Sequence, residues 1–163
     1  MKELVAMSIK GLMLDPVSNS PIVVLKDDDE KFFLPIWVGI FEANAIALQL
    51  ENIETPRPMT HDLLRNMISE LDAHVTRIVI NDLKDSTFFA QIALTSGGRF
   101  LEVDARPSDA IALALRTRAP ILVEDSVIDN AKTADFTTEK SDADRLQKWL
   151  ESLDPDEMGK YKM

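Results

Sequence analysis

The 163-residue chain contains no cysteine. That excludes a disulfide framework, a thiolate zinc site and a cysteine nucleophile, and it suits a reducing compartment. It has only five glycines, and none belongs to a Gly-x-Gly-x-x-Gly or Gly-Lys-Ser/Thr phosphate loop. The Gly-x-Ser-x-Gly elbow and the His-Glu-x-x-His zinc helix are missing too. His61 and His74 are the only histidines, too few for a three-histidine zinc enzyme. A nucleotide-cofactor oxidoreductase is likewise disfavoured. No apolar run approaches the ~20 residues of a membrane span. Met1 to Lys10 lacks the apolar core of a signal peptide. The expectation is a cytoplasmic protein with no membrane partner. Basic residues are also short, 18 against 28 acidic, for a net charge of −10. Such a chain has no global attraction to nucleic acid.

What is present is a core. The chain is 45% hydrophobic and 28% charged, as in globular domains, and its length fits one domain. Between Arg57 and Arg118 eight basic and eight acidic residues balance, and seven of the eight arginines lie there. A local anion-binding face is compatible with this distribution; a broad basic stripe is not.

The pattern reads as strands over 3–14, 22–25 and 32–38, then a helix from Ile40 to Leu50 that is apolar nearly all round and therefore buried. Pro35 should mark an edge strand or bulge. Thr60 is expected to cap a helix over 61–73, with Leu63, Leu64, Met67, Ile68 and Leu71 on its apolar face. Strands over 75–80, 87–94 and 100–103 follow, the last two a hairpin around Gly97-Gly98. Pro107 opens a second buried helix, 120–123 reads as a strand, 126–131 as a helical turn and 141–153 as a surface helix. Strands and helices mix without βαβ alternation. The expected class is α+β, a mixed sheet with two buried helices and a C-terminal surface helix. The domain is placed at 1–131, with 132–163 a polar linker and helical tail.

Two segments share one arrangement. Arg57-Pro58-Met59-Thr60-His61-Asp62 and Arg106-Pro107-Ser108-Asp109 each place an arginine before a helix start, a hydroxyl near the cap and a carboxylate in the first turn. Unpaired N–H groups, partial positive charge and an arginine together suit a phosphate. The simpler reading is that Ser, Thr and Asp cap while the arginines pair with the aspartates. His61 is the acid–base candidate, because imidazole changes charge near neutrality; otherwise its ring closes a loop hydrogen bond. His74 reads as surface. Glu42 interrupts an apolar helix, so it requires a partner, either Arg57 or Arg106 or a divalent cation. Asp62, Asp109, Asp104, Glu124 and Asp125 are further oxygen donors for a Mg²⁺ site.

Leu34-Pro35-Ile36-Trp37-Val38-Gly39, Glu42-Ala43-x-Ala45-Ile46, Arg57-Pro58-x-Thr60-His61-Asp62-Leu63 and Asp104-x-Arg106-Pro107-Ser108-Asp109-Ala110-Ile111-Ala112-Leu113-Ala114 together resemble the bifunctional nuclease family. The resemblance covers about residues 5–130. It implies hydrolysis of DNA or RNA phosphodiesters. On that reading Arg57, Arg106, Thr60 and Ser108 hold phosphate, and His61, Glu42, Asp62 and Asp109 serve catalysis. Glu42, Asp62 and Asp109 would be the ligands if Mg²⁺ or another divalent cation takes part. The alternatives are a non-enzymatic anion- or nucleotide-binding regulator and a structural dimer module. A homodimer is expected, because the apolar runs 32–50 and 110–115 need cover and the adjacent Phe88 and Phe89 put an aromatic on each face of one strand.

Overall fold

A computed structural model describes residues 3–133. The expected helix over 141–153 and most of the 132–163 tail lie outside these residues. The described chain folds as one seven-stranded mixed sheet with four helices. The strands are β1 (Leu4–Leu14), β2 (Pro21–Asp27), β3 (Phe33–Trp37), β4 (Ala73–Lys84), β5 (Thr87–Ser96), β6 (Arg99–Ala105) and β7 (Ile121–Glu124). The helices are α1 (Ile40–Leu50), α2 (Thr60–Glu70), α3 (Pro107–Thr117) and α4 (Asp125–Thr133). The strand order is β3-β2-β1-β7-β4-β5-β6. All neighbours are antiparallel except β4 and β7. The class is α+β, as the sequence pattern implies.

Pro35 falls on β3, which among the described residues is an edge strand paired with β2 alone. That is where a residue without an N–H can be accommodated. The Gly97-Gly98 hairpin forms with both residues at positive φ, as a two-residue turn requires. A second hairpin, β4–β5, goes unread in the sequence. Its turn, Asp85-Ser86, takes positive φ at two non-glycine residues (51° and 62°), a conformation that side chains disfavour. Strand β4 also runs past Ile80 to Lys84 through a bulge, which breaks the alternation.

The core forms where the two apolar helices meet the sheet. Ala43, Ala45, Ile46 and Ala47 of α1 are buried, and so are residues 110–114 of α3. The alanines let the two helices and the sheet approach closely. Leu25, Ile46, Ile78, Ile80, Ile111 and Leu113 are fully buried, each contributing roughly 1.5–3 kcal/mol of burial. Leu113→Ala would leave a cavity at the centre of this layer, at a cost of about 2–5 kcal/mol.

Helix α2 departs from expectation. It ends at Glu70, and His61 is its one buried residue. Leu63, Leu64, Met67 and Leu71 are exposed. Ile68 alone of the expected stripe packs against the core, while polar contacts made by the first turn hold α2 to α3.

Candidate functional site

Three helix starts converge. Arg106 is extended (φ −72°, ψ 145°) and caps α3, with Pro107 as its first residue; the fixed φ of proline pre-sets this geometry. Asp109 then falls in the first turn. Arg106 Nε donates to Asp109 Oδ2 at 3.0 Å, and its Nη2 lies 2.8 Å from Glu42 Oε1 and 2.9 Å from Asp109 Oδ2. The partner that Glu42 requires is therefore Arg106. Glu42 first, and then Asp109, hold the guanidinium still more firmly protonated.

Gly39 leaves room for this pairing. It caps α1 with Glu42 in the following first turn. A Cβ built on Gly39 would collide with the Glu42 carboxylate. The missing side chain lets Glu42 fold back over the helix start, where a carboxylate meets the positive end of the dipole. A glycine three residues before a glutamate at a helix entry is the legible trace of this feature.

The α2 start arrives through His61, whose Nε2 lies 2.9 Å from Asp109 Oδ1. Glu42, Arg106, Asp109 and His61 thus form one continuous polar chain across α1, α3 and α2. The His61 side chain is 11% exposed and that of Arg106 is 65% exposed. The chain runs from a buried imidazole to an open guanidinium. The two Nη1 protons of Arg106 have no partner among the described residues.

Asp62 does not join this group. Its carboxylate accepts from Met59 N–H at 3.0 Å and from Arg116 Nε at 2.6 Å. Burial acts to raise its pKa, but these two donors outweigh it and hold the carboxyl below the usual value. Arg116 also donates to the carbonyls of Ala112 and Ala45. It ties α1, α2 and α3 together from inside. In the sequence Arg116 looks like a cation favouring a helix C-terminus, and nothing local marks its reach.

The remaining candidates separate. Met59, not Thr60, is the cap of α2; Thr60 is its exposed first residue. Asp62 replaces the hydroxyl as the side chain that satisfies the helix start. Ser108 is 6% exposed, and among the described residues its hydroxyl is bonded to nothing. Arg57 is exposed, four residues before His61, and its guanidinium has no ion pair among the described residues. Asp104 is exposed on β6, and Glu124 and Asp125 lie at the β7–α4 junction. His74 is exposed on β4. Among the described residues no three His, Asp or Glu side chains are gathered to hold a metal ion.

A cleft of about 280 Å³ opens beside Arg106. Trp37, Ser86, Thr87 and Phe88 wall it together with Arg106 and Ser108, while Glu42, Asp109 and His61 lie outside its lining. No helix among the described residues is long and apolar enough to cross a membrane.

The sequence profile of the bifunctional nuclease domain matches residues 23–135, a span that holds every residue of the polar chain and the cleft. The chain belongs to the bifunctional nuclease domain family. It is 34% identical over 158 residues to an uncharacterized protein of Mycobacterium tuberculosis, covering 91% of this chain and 94% of that one. Bifunctional nuclease 2 of Oryza sativa subsp. japonica is 31% identical over 122 residues, which are 72% of this chain and 38% of that protein. Bifunctional nuclease 1 of Arabidopsis thaliana is 30% identical over 118 residues, 70% of this chain and 36% of that protein. The plant proteins are much longer, and this chain matches little more than a third of each. In this family member, two of the four motifs behind the resemblance supply the cleft: residues 34–39 bring Trp37 and Gly39, and residues 104–114 bring Arg106 and Ser108.

Proposed function

We propose that this chain is a nuclease that hydrolyses phosphodiester bonds of DNA or RNA. The observation that carries the reading is an exposed Arg106 with two unpartnered N–H groups, held by Asp109, which also binds His61. Arg106 and the Ser108 hydroxyl hold the phosphate in the cleft, with Arg57 and Thr60 as further contacts from the loop and first turn before His61. The guanidinium stabilises charge that develops on the phosphoryl oxygens in the transition state. With Nε2–H donated to Asp109, the second ring nitrogen of His61 is the proton acceptor for attacking water. Glu42 and Asp109 position Arg106. The residues do not fit a metal centre: Arg106 bridges Glu42 and Asp109, and Arg116 binds Asp62. No step here runs through a metal.

The test is cleavage of labelled RNA and DNA by the wild type and His61→Ala, with and without EDTA. The expected result is EDTA-resistant cleavage that falls about 10²–10⁴-fold in the variant, while inorganic phosphate inhibits both equally. Wild-type cleavage in His61→Ala ends the assignment of the base. No cleavage by the wild type favours the anion-binding regulator instead.

A second reading rests on a separate observation. The exposed α2 stripe of Leu63, Leu64, Met67 and Leu71 is the surface that a two-fold homodimer would cover. Sedimentation at micromolar concentration that gives a single-chain mass would refute the dimer.

A further inference from the structure

We infer that the cleft beside Arg106 is a nucleotide subsite that takes one unpaired base, which makes single-stranded nucleic acid the substrate class. The inference rests on the nuclease reading for the chemistry, but on separate observations for the base. Trp37 and Phe88 line the cleft together with Arg106 and Ser108. Trp37 comes from the end of β3, and Phe88 follows the β4–β5 turn. These two elements lie far apart in the sheet order, on opposite sides of β7, and the tertiary fold brings one aromatic from each to a single opening. An aromatic ring is the group on which an unstacked base packs, whatever its sequence.

The Trp37 ring is fixed before any ligand arrives. Its Nε1 donates to Asp15 Oδ2 at 2.9 Å. Burial acts to raise the Asp15 pKa, but the Val17 N–H, the Trp37 indole and the Ser18 hydroxyl together hold the carboxylate charged. A ring held in this way loses little entropy on binding.

The polar end of the cleft matches a phosphate. Ser108 is 6% exposed, without a bonding partner among the described residues, and lines the opening. Arg106 has its Nη1 protons to offer there. Ser86 and Thr87 add hydroxyls on the rim. A volume of about 280 Å³ sits at the small end of ligand sites. That is the scale of one nucleotide unit. A duplex presents its bases stacked and paired, so it reaches Arg106 with phosphate alone. With a net charge of −10, phosphate contacts by themselves are weak, and the stacked base supplies the selectivity.

The experiment measures anisotropy of a fluorescein-labelled hexathymidylate, a strand of the same length with every position abasic, and a matched duplex. The proteins are the full chain and its Trp37→Leu and Phe88→Leu variants, with melting curves as controls. Expected is single-strand binding at least tenfold tighter than duplex binding, weakened roughly five- to 150-fold by either variant. The abasic strand should bind the wild type weakly and lose nothing further in the variants. That comparison remains readable if a variant is less stable, because each protein is its own reference. Equal binding of single strand and duplex, or an abasic penalty that the variants retain in full, overturns the subsite. If cleavage is then intact, the nuclease reading survives without it. Base-dependent binding with no cleavage would keep the subsite and remove the nuclease reading.

Discussion

Helix α3 carries an arginine near each end, and the two live in opposite surroundings. Arg106 leaves 65% of its side chain exposed while touching two carboxylates. Arg116 leaves 2% exposed and spends its donors on Asp62 and two backbone carbonyls. A buried cation that ties three helices together is committed to the fold, and removing it strands its partners. An exposed cation whose neighbours leave Nη1 unused can still bind something else. Sequence does not rank these two residues; burial does.

The largest effect should come from the buried end. Arg116→Ala should destabilise by about 3–5 kcal/mol, lowering the thermal midpoint by roughly 10 °C, with cleavage per folded molecule little changed. Calorimetry paired with an active-fraction assay reads both. A stable Arg116→Ala would erase the contrast between the two ends.

Next is the exposed end. Arg106→Ala should lower cleavage about 10²–10³-fold, as loss of one transition-state donor does, and cost stability only about 1 kcal/mol. Cleavage at the wild-type rate with an unchanged melting curve would place the chemistry elsewhere.

The Asp62–Arg116 pair should also show in the acid limb of stability. The folded pKa of Asp62 lies below its ordinary value of 3.8. Its contribution is therefore present above that value and lost as pH falls through it toward the lower folded value. Urea midpoints taken from pH 6 downward should fall more steeply in the wild type than in Asp62→Asn. Parallel curves would mean that the pair contributes no pH dependence.

The smallest effect sharpens the comparison at Arg106 without touching that residue. Gly39 has φ −71°, which alanine adopts freely, so Gly39→Ala acts through its methyl group. The methyl group displaces the Glu42 carboxylate and relieves Arg106 of one anion. Inorganic phosphate should then inhibit roughly two- to fivefold more strongly, the scale of one exposed ion pair. Unchanged inhibition would mean that Glu42 exerts no hold on the phosphate affinity of Arg106.

Local sequence determined a good deal of this. The apolar runs 40–50 and 110–115 could only be buried helices, Pro35 could only sit at an edge or a bulge, and Gly97-Gly98 could only turn. The arginine–proline motifs placed His61, Arg106 and Asp109 at helix starts, with Arg57 in the loop before one of them, and Glu42 announced a partner by being charged in an apolar helix. Each of these follows from a property of one residue or one period, so the chain carries it without its fold. Other features depend on which elements become neighbours. Helix α2 has the stripe of a packed helix, yet only Ile68 of it reaches the core; the polar contacts of His61 and Asp62 to α3 orient the helix so that Leu63, Leu64, Met67 and Leu71 stay exposed. Asp62 and Arg116, 54 residues apart, pair only because α2 crosses α3. Trp37 and Phe88 share a cleft only because the sheet brings the end of β3 and the β4–β5 turn together. Contacts of this kind are set by the summed burial of the sheet and two apolar helices, and no local pattern in the sequence records that sum.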